Sequence, residues 1–497
     1  MSDWVRRQAQ QRPDHPAVID DQGHVVTFAA LEQLIVDQCR KFQQARVPSA
    51  AVLFSLLPAG PDFVVLLHAA RRLGATLAVA SPGWTATEIE RAVKLSAPDW
   101  VFMDAFAGEA ARVAAQASGA KSFRREFEKL GPTPPPGETL PEPNSDLQRP
   151  FTLLFTSGTS GKAKAIVHSA ANYQESTMAG VRRLGSRDGD VWLAAMPLHH
   201  VGGLAILVRC AILGTTVRLQ NGFDPDRVAE SLLSGNITQA SVVPAMIDPL
   251  LDALDGRRVP SQLRFVLVGG AMATEEQLAR AQKAGLPVAP TYGMTETTSQ
   301  IATARPGTGR FRSGEVGEPL DVTEVRVVDS RGTRSTGGTG AIEVRGPTLG
   351  LGRLEAPGQM QSLTDEDGWM RTMDKGTLDP SGVLQILGRM DDVIVTGGEN
   401  VSPGEVEAIL SEHPEVAQIA VIGRPHERWG SAVTAVIVPA SGARPSVEGL
   451  RHFAAGRLAR HKLPHAVEIR DDLPRTTSGK LQRHKLRQGF GGGVSSA

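Results

Sequence analysis

A chain of 497 residues with 41% hydrophobic side chains exceeds what one core serves, so a globular protein of two or more domains is expected. Its 53 lysines and arginines balance 53 aspartates and glutamates, which removes the charge surplus that nucleic acid or an anionic membrane surface would demand. The two cysteines, Cys39 and Cys210, stand in no metal-ligand spacing, no apolar run reaches the length of a membrane span, and the start lacks the apolar segment of a signal peptide; a reducing, cytoplasmic setting without structural zinc is the expectation.

From Trp4 to Gln43 helix and short strand alternate, with residues 17–19 and 25–28 as strands around a turn at 21–23. Residues 51–57 form an apolar run of strand length. Pro58 and Gly60 break it before a helix carrying Phe63, Leu66, Leu67 and Ala70 at 3.6-residue spacing, and 76–80 gives the next strand. This part reads as β-α-β with a mostly parallel sheet. Six prolines and no apolar periodicity between 131 and 144 mark a surface connector.

Residues 151–155 give a buried strand, 156–164 read Thr156-Ser157-Gly158-Thr159-Ser160-Gly161-Lys162-Ala163-Lys164, and 165–167 resume as a strand. Hydroxyls and glycines at this density can turn several N–H and O–H groups toward phosphate oxygens while a lysine supplies charge. A flexible Gly/Ser hairpin is the plain alternative. A Walker loop is ruled out, because Thr156 and Ala163 replace its first glycine and final hydroxyl. Further on, Met196-Pro197-Leu198-His199-His200-Val201-Gly202-Gly203 opens an apolar helix. Adjacent histidines point apart and no acid or cysteine completes a shell, which disfavours a metal. His200 either shapes a pocket beside close-packed backbone or is a satisfied structural histidine.

The strand at 264–268 ends in Gly269-Gly270-Ala271, which allows backbone to approach a planar ring, and Thr274 with Gln277 makes a capping box for a helix that stops at Gly285. A strand at 287–291 leads into Tyr292-Gly293-Met294-Thr295-Glu296-Thr297-Thr298-Ser299-Gln300. This stretch offers a ring to stack on a base, a threonine for a phosphate and a glutamate for Mg²⁺; an ordinary Gly- and Thr-rich turn is the alternative. Both loops are expected at the carboxyl ends of neighbouring parallel strands, the crevice in which open α/β sheets bind ligands.

Alternating strands with Gly-rich turns from 314 to 346 indicate a small β subdomain. Asp374 and Arg389 then flank a hairpin turned at 379–382. An aspartate can accept both hydroxyls of a ribose and an arginine can bridge ribose and phosphate, although surface charge in a hairpin would look the same. Beyond Asp392 an α+β unit follows: a capped helix start at Ser402, Pro403 and Glu405, strands at 419–422 and 433–438, a helix at 447–458, and the run Ser478-Gly479-Lys480.

Taken together these pieces resemble the adenylate-forming superfamily of acyl-CoA synthetases, peptide-synthetase adenylation domains and luciferases. Five motifs occur in the family's order: the Thr156 to Lys164 loop, the Tyr292 to Glu296 loop, Asp374, the Gly388-Arg389-x-Asp391-Asp392 run with Gly397-Gly398-Glu399-Asn400, and Ser478-Gly479-Lys480. The resemblance implies an α/β fold: a large domain, 1–388, of mostly parallel α/β sheets plus the β subdomain; a hinge at 389–391 centred on Asp391; a small mobile α+β domain, 392–487, carrying the catalytic lysine; and a disordered tail, 488–497. It implies that Thr156, Ser157, Gly158, Thr159, Ser160, Gly161 and Lys164 hold the β,γ-phosphates of ATP, and that Tyr292 and Gly269, Gly270 and Ala271 flank adenine. Thr295 would contact phosphate, Glu296 would support Mg²⁺, and Asp374 and Arg389 would hold the ribose. Lys480 would reach the α-phosphate and the attacking carboxylate. After the small domain swings, Gly397, Gly398 and Glu399 would line a tunnel for the pantetheine of CoA, the co-substrate.

Two departures stand out: Ala163 and Ala165 replace the usual Pro and Gly around Lys164, and Met373 replaces the Gly before the ribose aspartate. Within the superfamily the signatures at 200–204 and 292–300 look most like the 2-succinylbenzoate–CoA ligase group of menaquinone synthesis. That likeness implies recognition of a second, unreactive carboxylate, with His200, Gly202, Gly203, Thr297, Thr298, Ser299 and Arg209 as the candidates. Another aryl- or fatty-acyl-CoA ligase, or a stand-alone amino-acid adenylating enzyme, is the alternative. A homodimer is compatible with the resemblance; nucleic acid and a membrane span are not expected.

Overall fold

Two helices whose apolar residues run all the way round make the centre of the molecule, because a helix with no polar face must be covered on every side. The helix Pro61–Leu73 buries every residue from Phe63 to Arg72, and Val201–Leu213 buries Val201 and Gly203 to Ile212. The first starts on a proline whose fixed φ suits the opening turn and stops at Gly74 in the left-handed conformation. Both lie in one apolar cluster that takes Leu53 and Leu77 from one sheet and Val217 and Phe265 from another. The structure, a computed structural model, describes residues 3–103, 121–124, 145–157, 163–307, 309–390, 392–396, 399–426, 429–455, 457–476, 479, 481–488 and 495–496.

The fold is α/β, with a large N-terminal and a smaller C-terminal domain. One eight-stranded sheet runs Ser299–Thr303, Val288–Met294, Phe265–Val268, Gln239–Val242, Val191–Ala194, Thr216–Leu219, Pro16–Ile19, Val25–Thr27. It is parallel except at its two edges. The other eight-stranded sheet is parallel through Val52–Ser55, Thr76–Val79 and Trp100–Met103, and antiparallel where Pro150–Ser157 pairs with Ala163–Ser169. A six-stranded antiparallel sheet holds Glu324–Val328, Gly338–Arg345, Met370–Leu378 and Leu384–Arg389. The C-terminal domain has its own core, in which Val406 and Leu410 of the helix Pro403–Leu410 pack on Val421, Val433, Ala435 and Ile437.

Most expected elements fall where periodicity placed them, and three do not. The strand ahead of Tyr292 continues to Met294, because Ser299–Thr303 folds back antiparallel and extends its ladder. Ser402 does not cap its helix; its hydroxyl donates instead to the Leu387 carbonyl, 2.8 Å away in the preceding sheet. The helix that starts at Val447 stops at Ala454, with Ala455 extended. In the tail, Ser495–Ser496 pairs antiparallel with Ala466 and Val467. The connector at 131–144 lies outside the described residues. Among those residues no helix is long and apolar enough to cross a membrane.

Candidate active site

The carboxyl ends of Phe265–Val268 and Val288–Met294 are adjacent and parallel. The nine-residue motif is therefore a tight hairpin rising from a strand end, beside the Gly269 and Gly270 loop. Gly293 sits at a register shift in that hairpin, where a Cβ would overlap the Ser299 carbonyl oxygen. Only glycine lets the strands approach so closely. Gly269 abuts Thr291, whose methyl lies 2.7 Å from where a Cβ would stand; Gly270 and Ala271 are exposed.

Between the strands of the hairpin, Thr295–Thr297 makes one 3₁₀ turn and both Thr298 (φ 50) and Ser299 (φ 92) take left-handed backbone. Such strain costs about 1–3 kcal/mol per residue and persists only where the surroundings hold it. Here they do. The Thr297 hydroxyl accepts from Met294 N at 3.1 Å, Thr298 donates to Thr348 O at 2.7 Å, and Ser176 donates to Thr298 O at 2.8 Å. Gly350 N reaches Glu296 O at 2.9 Å. The hydroxyls of Thr297 and Thr298 are thus occupied in holding the turn, whereas Ser299 is half-buried at its rim.

A chain of polar groups that sequence reasoning did not single out fixes the same turn from behind. Tyr173 and Thr152 share a hydrogen bond of 2.9 Å, Thr152 reaches His168 Nδ1 at 3.4 Å, and His168 Nε2 reaches the Thr295 carbonyl at 2.7 Å. A carbonyl only accepts, so Nε2 carries the proton and Nδ1 takes the Thr152 hydroxyl. Burial pushes His168 down to about 4, which keeps the ring neutral.

Opposite the turn, Tyr292 donates its hydroxyl to Asp374 Oδ2 at 2.6 Å, and Arg389 Nη1 lies 3.5 Å from Asp374 Oδ1. Asp374 and Arg389 are register partners across their hairpin. Burial, then the neighbouring Asp374 charge, hold the Tyr292 phenol well above its ordinary range. Met373 has φ 63, the conformation a glycine would adopt, and so keeps Asp374 turned inward.

The phosphate-loop reading falls partly on described residues. Thr156 pairs with Lys164 and Ser157 with Ala163 across an antiparallel ladder, and Ala165 is fully buried within it. Gly158, Thr159, Ser160 and Gly161 lie outside the described residues, as do Asp391, Gly397, Gly398 and Lys480; Glu399 is exposed in a two-stranded ribbon. Phe155, just before Thr156, meets Trp84 edge-on at 5.7 Å, and Trp84 meets His199 at 5.9 Å. His199 in turn lies 4.2 Å from His200, ring to ring, and burial pushes it down to about 4. His200 ends the turn from which Val201–Leu213 starts, and a Cβ on Gly203 would run into the Pro197 carbonyl. Gly202 faces the Met196 side chain. Trp84 thus joins the His199–His200 pair to the hairpin that carries Thr156 and Lys164, a contact no local pattern announces.

The small domain reaches this crevice. A Cβ on Gly479 would stand 2.9 Å from Val243 Cγ2, while the other methyl of Val243 faces Gly270. Gly479 is therefore set beside the Gly269–Gly270 loop, with Val243 between them. Among the described residues no group of three or more His, Cys, Asp or Glu side chains is placed to hold a metal by itself.

Comparison with known proteins agrees with this geometry. The model of the AMP-binding enzyme family matches residues 5–353, and that of the AMP-binding enzyme C-terminal domain matches 405–480. A 2-succinylbenzoate–CoA ligase of Geobacillus kaustophilus is 33% identical over 493 residues, 98% of each chain. The o-succinylbenzoate CoA synthetase of Bacillus subtilis, solved with the acyl-adenylate intermediate OSB-AMP, superposes with a TM-score of 0.86 at 28% identity over 99% of each chain. The same enzyme solved with ATP and magnesium ion also gives 0.86, at 28% identity over 98% of this chain and 99% of that one.

Proposed function

The chain belongs to the AMP-binding enzyme family, and on that premise we propose that it joins a carboxylic acid, 2-succinylbenzoate, to the thiol of CoA through an acyl-adenylate, using ATP with Mg²⁺ and releasing AMP and pyrophosphate. The observation that carries the reading is the convergence on one crevice of the Tyr292–Asp374–Arg389 cluster, the strained Thr295–Ser299 turn and the Gly479 loop of the second domain.

A carboxylate attacking a triphosphate meets like charge, so catalysis must hold the two reactants together and stabilise charge on the α-phosphate. The lysine Lys480 supplies that charge from the small domain, and Thr295 and Lys164 bind phosphate oxygens. Thr156, Ser157, Gly158, Thr159, Ser160 and Gly161 cradle the β,γ-phosphates. Tyr292 with Gly269, Gly270 and Ala271 holds adenine, and Asp374 with Arg389 the ribose. Mg²⁺ binds through one or two carboxylates plus substrate phosphates, which the single carboxylate of Glu296 fits; when bound it neutralises phosphate charge. His200, Gly202, Gly203 and Ser299 bound the acid, and Thr297 shapes the turn that presents Ser299. Thiol attack follows once the small domain has turned about Asp391 and brought Gly397, Gly398 and Glu399 to the acyl group.

A panel of acids assayed for CoA-dependent AMP release tests this. 2-Succinylbenzoate should give the highest kcat/KM, well above benzoate, succinate and medium-chain fatty acids. Equal or better turnover of a simple benzoic or fatty acid overturns the substrate assignment and leaves adenylate chemistry standing.

A further inference from the structure

Trp84 stands on an outer turn and reaches inward. The turn joins the strand Thr76–Val79 to the helix Ala86–Ser96, and it is fixed at both ends. Trp84 N and Gly83 N donate to the carbonyl and the hydroxyl of Ser81, each at 3.2 Å, and Thr85 opens the helix in a reciprocal capping box with Glu88. Pro82 and Gly83 are exposed and Trp84 is half-buried, packed together with Phe155 on the cluster that holds Ile89, Leu153 and Ala165. The rings of Phe155 and His199 each meet the indole at 73°, and edge-on contacts of this kind fix rings relative to one another as well as burying area. His199 is 8% exposed, and burial keeps it neutral.

Three segments far apart in sequence therefore close on one ring, and two of them flank the reacting bond in the ligase reading. Phe155 precedes Thr156 at the base of the hairpin proposed for the phosphates, and His199 precedes His200, proposed for the acid. An acyl-adenylate joins the acid's carbonyl carbon to a phosphate oxygen, so its reactive bond spans the gap between those two segments. The indole touches both of them from a turn whose neighbouring residues face solvent. Such an intermediate has to wait for its thiol. If water adds its oxygen to the acyl carbon first, the bond from that carbon to the phosphate oxygen breaks, AMP leaves with the electron pair, the protons of the water pass to solvent, and ATP is consumed without product. Excluding water is how a closed site prevents this side reaction.

We propose that Trp84, braced against Phe155 and His199, seals the acyl-adenylate from water between the two half-reactions. This rests on the ligase reading above and deepens it to a residue that protects the intermediate. The test omits CoA: enzyme is given ATP with Mg²⁺ and the best acid of the panel above, and pyrophosphate and AMP are followed in time. Wild type should release one rapid equivalent of pyrophosphate and then AMP only slowly. Trp84→Ala should keep the first turnover within about threefold and KM for ATP within about twofold, while the slow release of AMP rises about tenfold or more. Trp84→Leu, which keeps the apolar anchor of the turn on the core, should leak alike, and Trp84→Phe, which keeps an aromatic edge, should stay within about threefold of wild type. A slow phase unchanged in both Trp84→Ala and Trp84→Leu, or a first turnover lost together with the seal, overturns the inference and leaves the ligase reading standing. If wild type releases pyrophosphate with no acid of the panel, the ligase reading falls and this inference with it.

Discussion

Met373 shows how one residue can keep a backbone shape that its own chemistry disfavours. With φ 63 it stands in left-handed space, its carbonyl accepts from Met390 N at 2.8 Å, and its side chain is exposed. The next residue, Asp374, is held by its own N–H to Thr372 Oγ1 at 3.2 Å. A left-handed L-residue costs about 1–2 kcal/mol, while a glycine gives up about 0.5–1 kcal/mol of chain entropy on folding. The two effects nearly balance, with the strain slightly the larger. Met373→Gly should therefore raise the urea midpoint slightly and leave KM for ATP unchanged; a fall of more than about 1 kcal/mol would mean that the methionine side chain contributes packing that its exposure hides. Gly293→Ala should be the opposite case. Its Cβ has no room against the Ser299 carbonyl, so the hairpin must open, and adenylate formation should drop by at least two orders of magnitude while the small domain stays folded.

At the scale of elements, the hairpin Val288–Thr303 depends on a histidine from a strand far away in sequence. The linkage has a definite sign. His168 is depressed to about 4 by burial, below the ordinary 6.5, so the unfolded chain binds the proton more readily between those values. Its stabilising contribution is complete above about pH 6.5 and is lost as pH falls toward 4, by up to about 3 kcal/mol. His199 and His68 are depressed alike, so the native state should weaken in the same window through all three. His168→Gln can still donate to Thr295 and cannot charge; it should narrow the gap between unfolding midpoints measured at about pH 7.5 and pH 5. An unchanged gap would show that His168 is protonated without cost. This dependence also marks what the sequence made legible. Strand and helix spacing, the Thr274–Gln277 capping box and the ordered motifs are local patterns, and they placed most elements and the order of the site. Trp84 and His168 act through contacts between segments 70 or more residues apart, which no local window contains. Ser402 departs from its local pattern for the same reason: a capping hydroxyl accepts from N–H groups of its own helix, but donation to the distant Leu387 carbonyl turns this one toward the preceding sheet.

For the whole molecule, the bonds around the domain junction bear on the hinge proposed above. Asp392 is clamped by Arg483 at 3.0 Å and Arg487 at 3.1 Å from the last helix, and Arg483 also grips Glu407 at 2.6 Å. Asp392 therefore moves with the small domain. On the other side, Arg389 is paired across the sheet with Asp374 and belongs to the large domain. The proposed swing would then turn at 390 and 391 and would also break the Ser402–Leu387 bond of 2.8 Å. Asp391→Pro fixes one φ at about −65° and should hinder the turn while leaving the ATP site assembled. Lys480→Ala should do the reverse. On the role proposed for it, the substitution removes a charge-assisted contact made only while adenylate forms, worth roughly 1.5–3 kcal/mol, so adenylation should fall at least tenfold and thioester formation from supplied acyl-adenylate should stay near wild type. Measured by single-turnover assays of each half-reaction, the two variants should lose opposite halves. A loss of both halves together in Lys480→Ala would mean that the lysine serves both arrangements, and a normal second half-reaction in Asp391→Pro would place the pivot elsewhere, which the Arg483 clamp leaves only Met390 to provide.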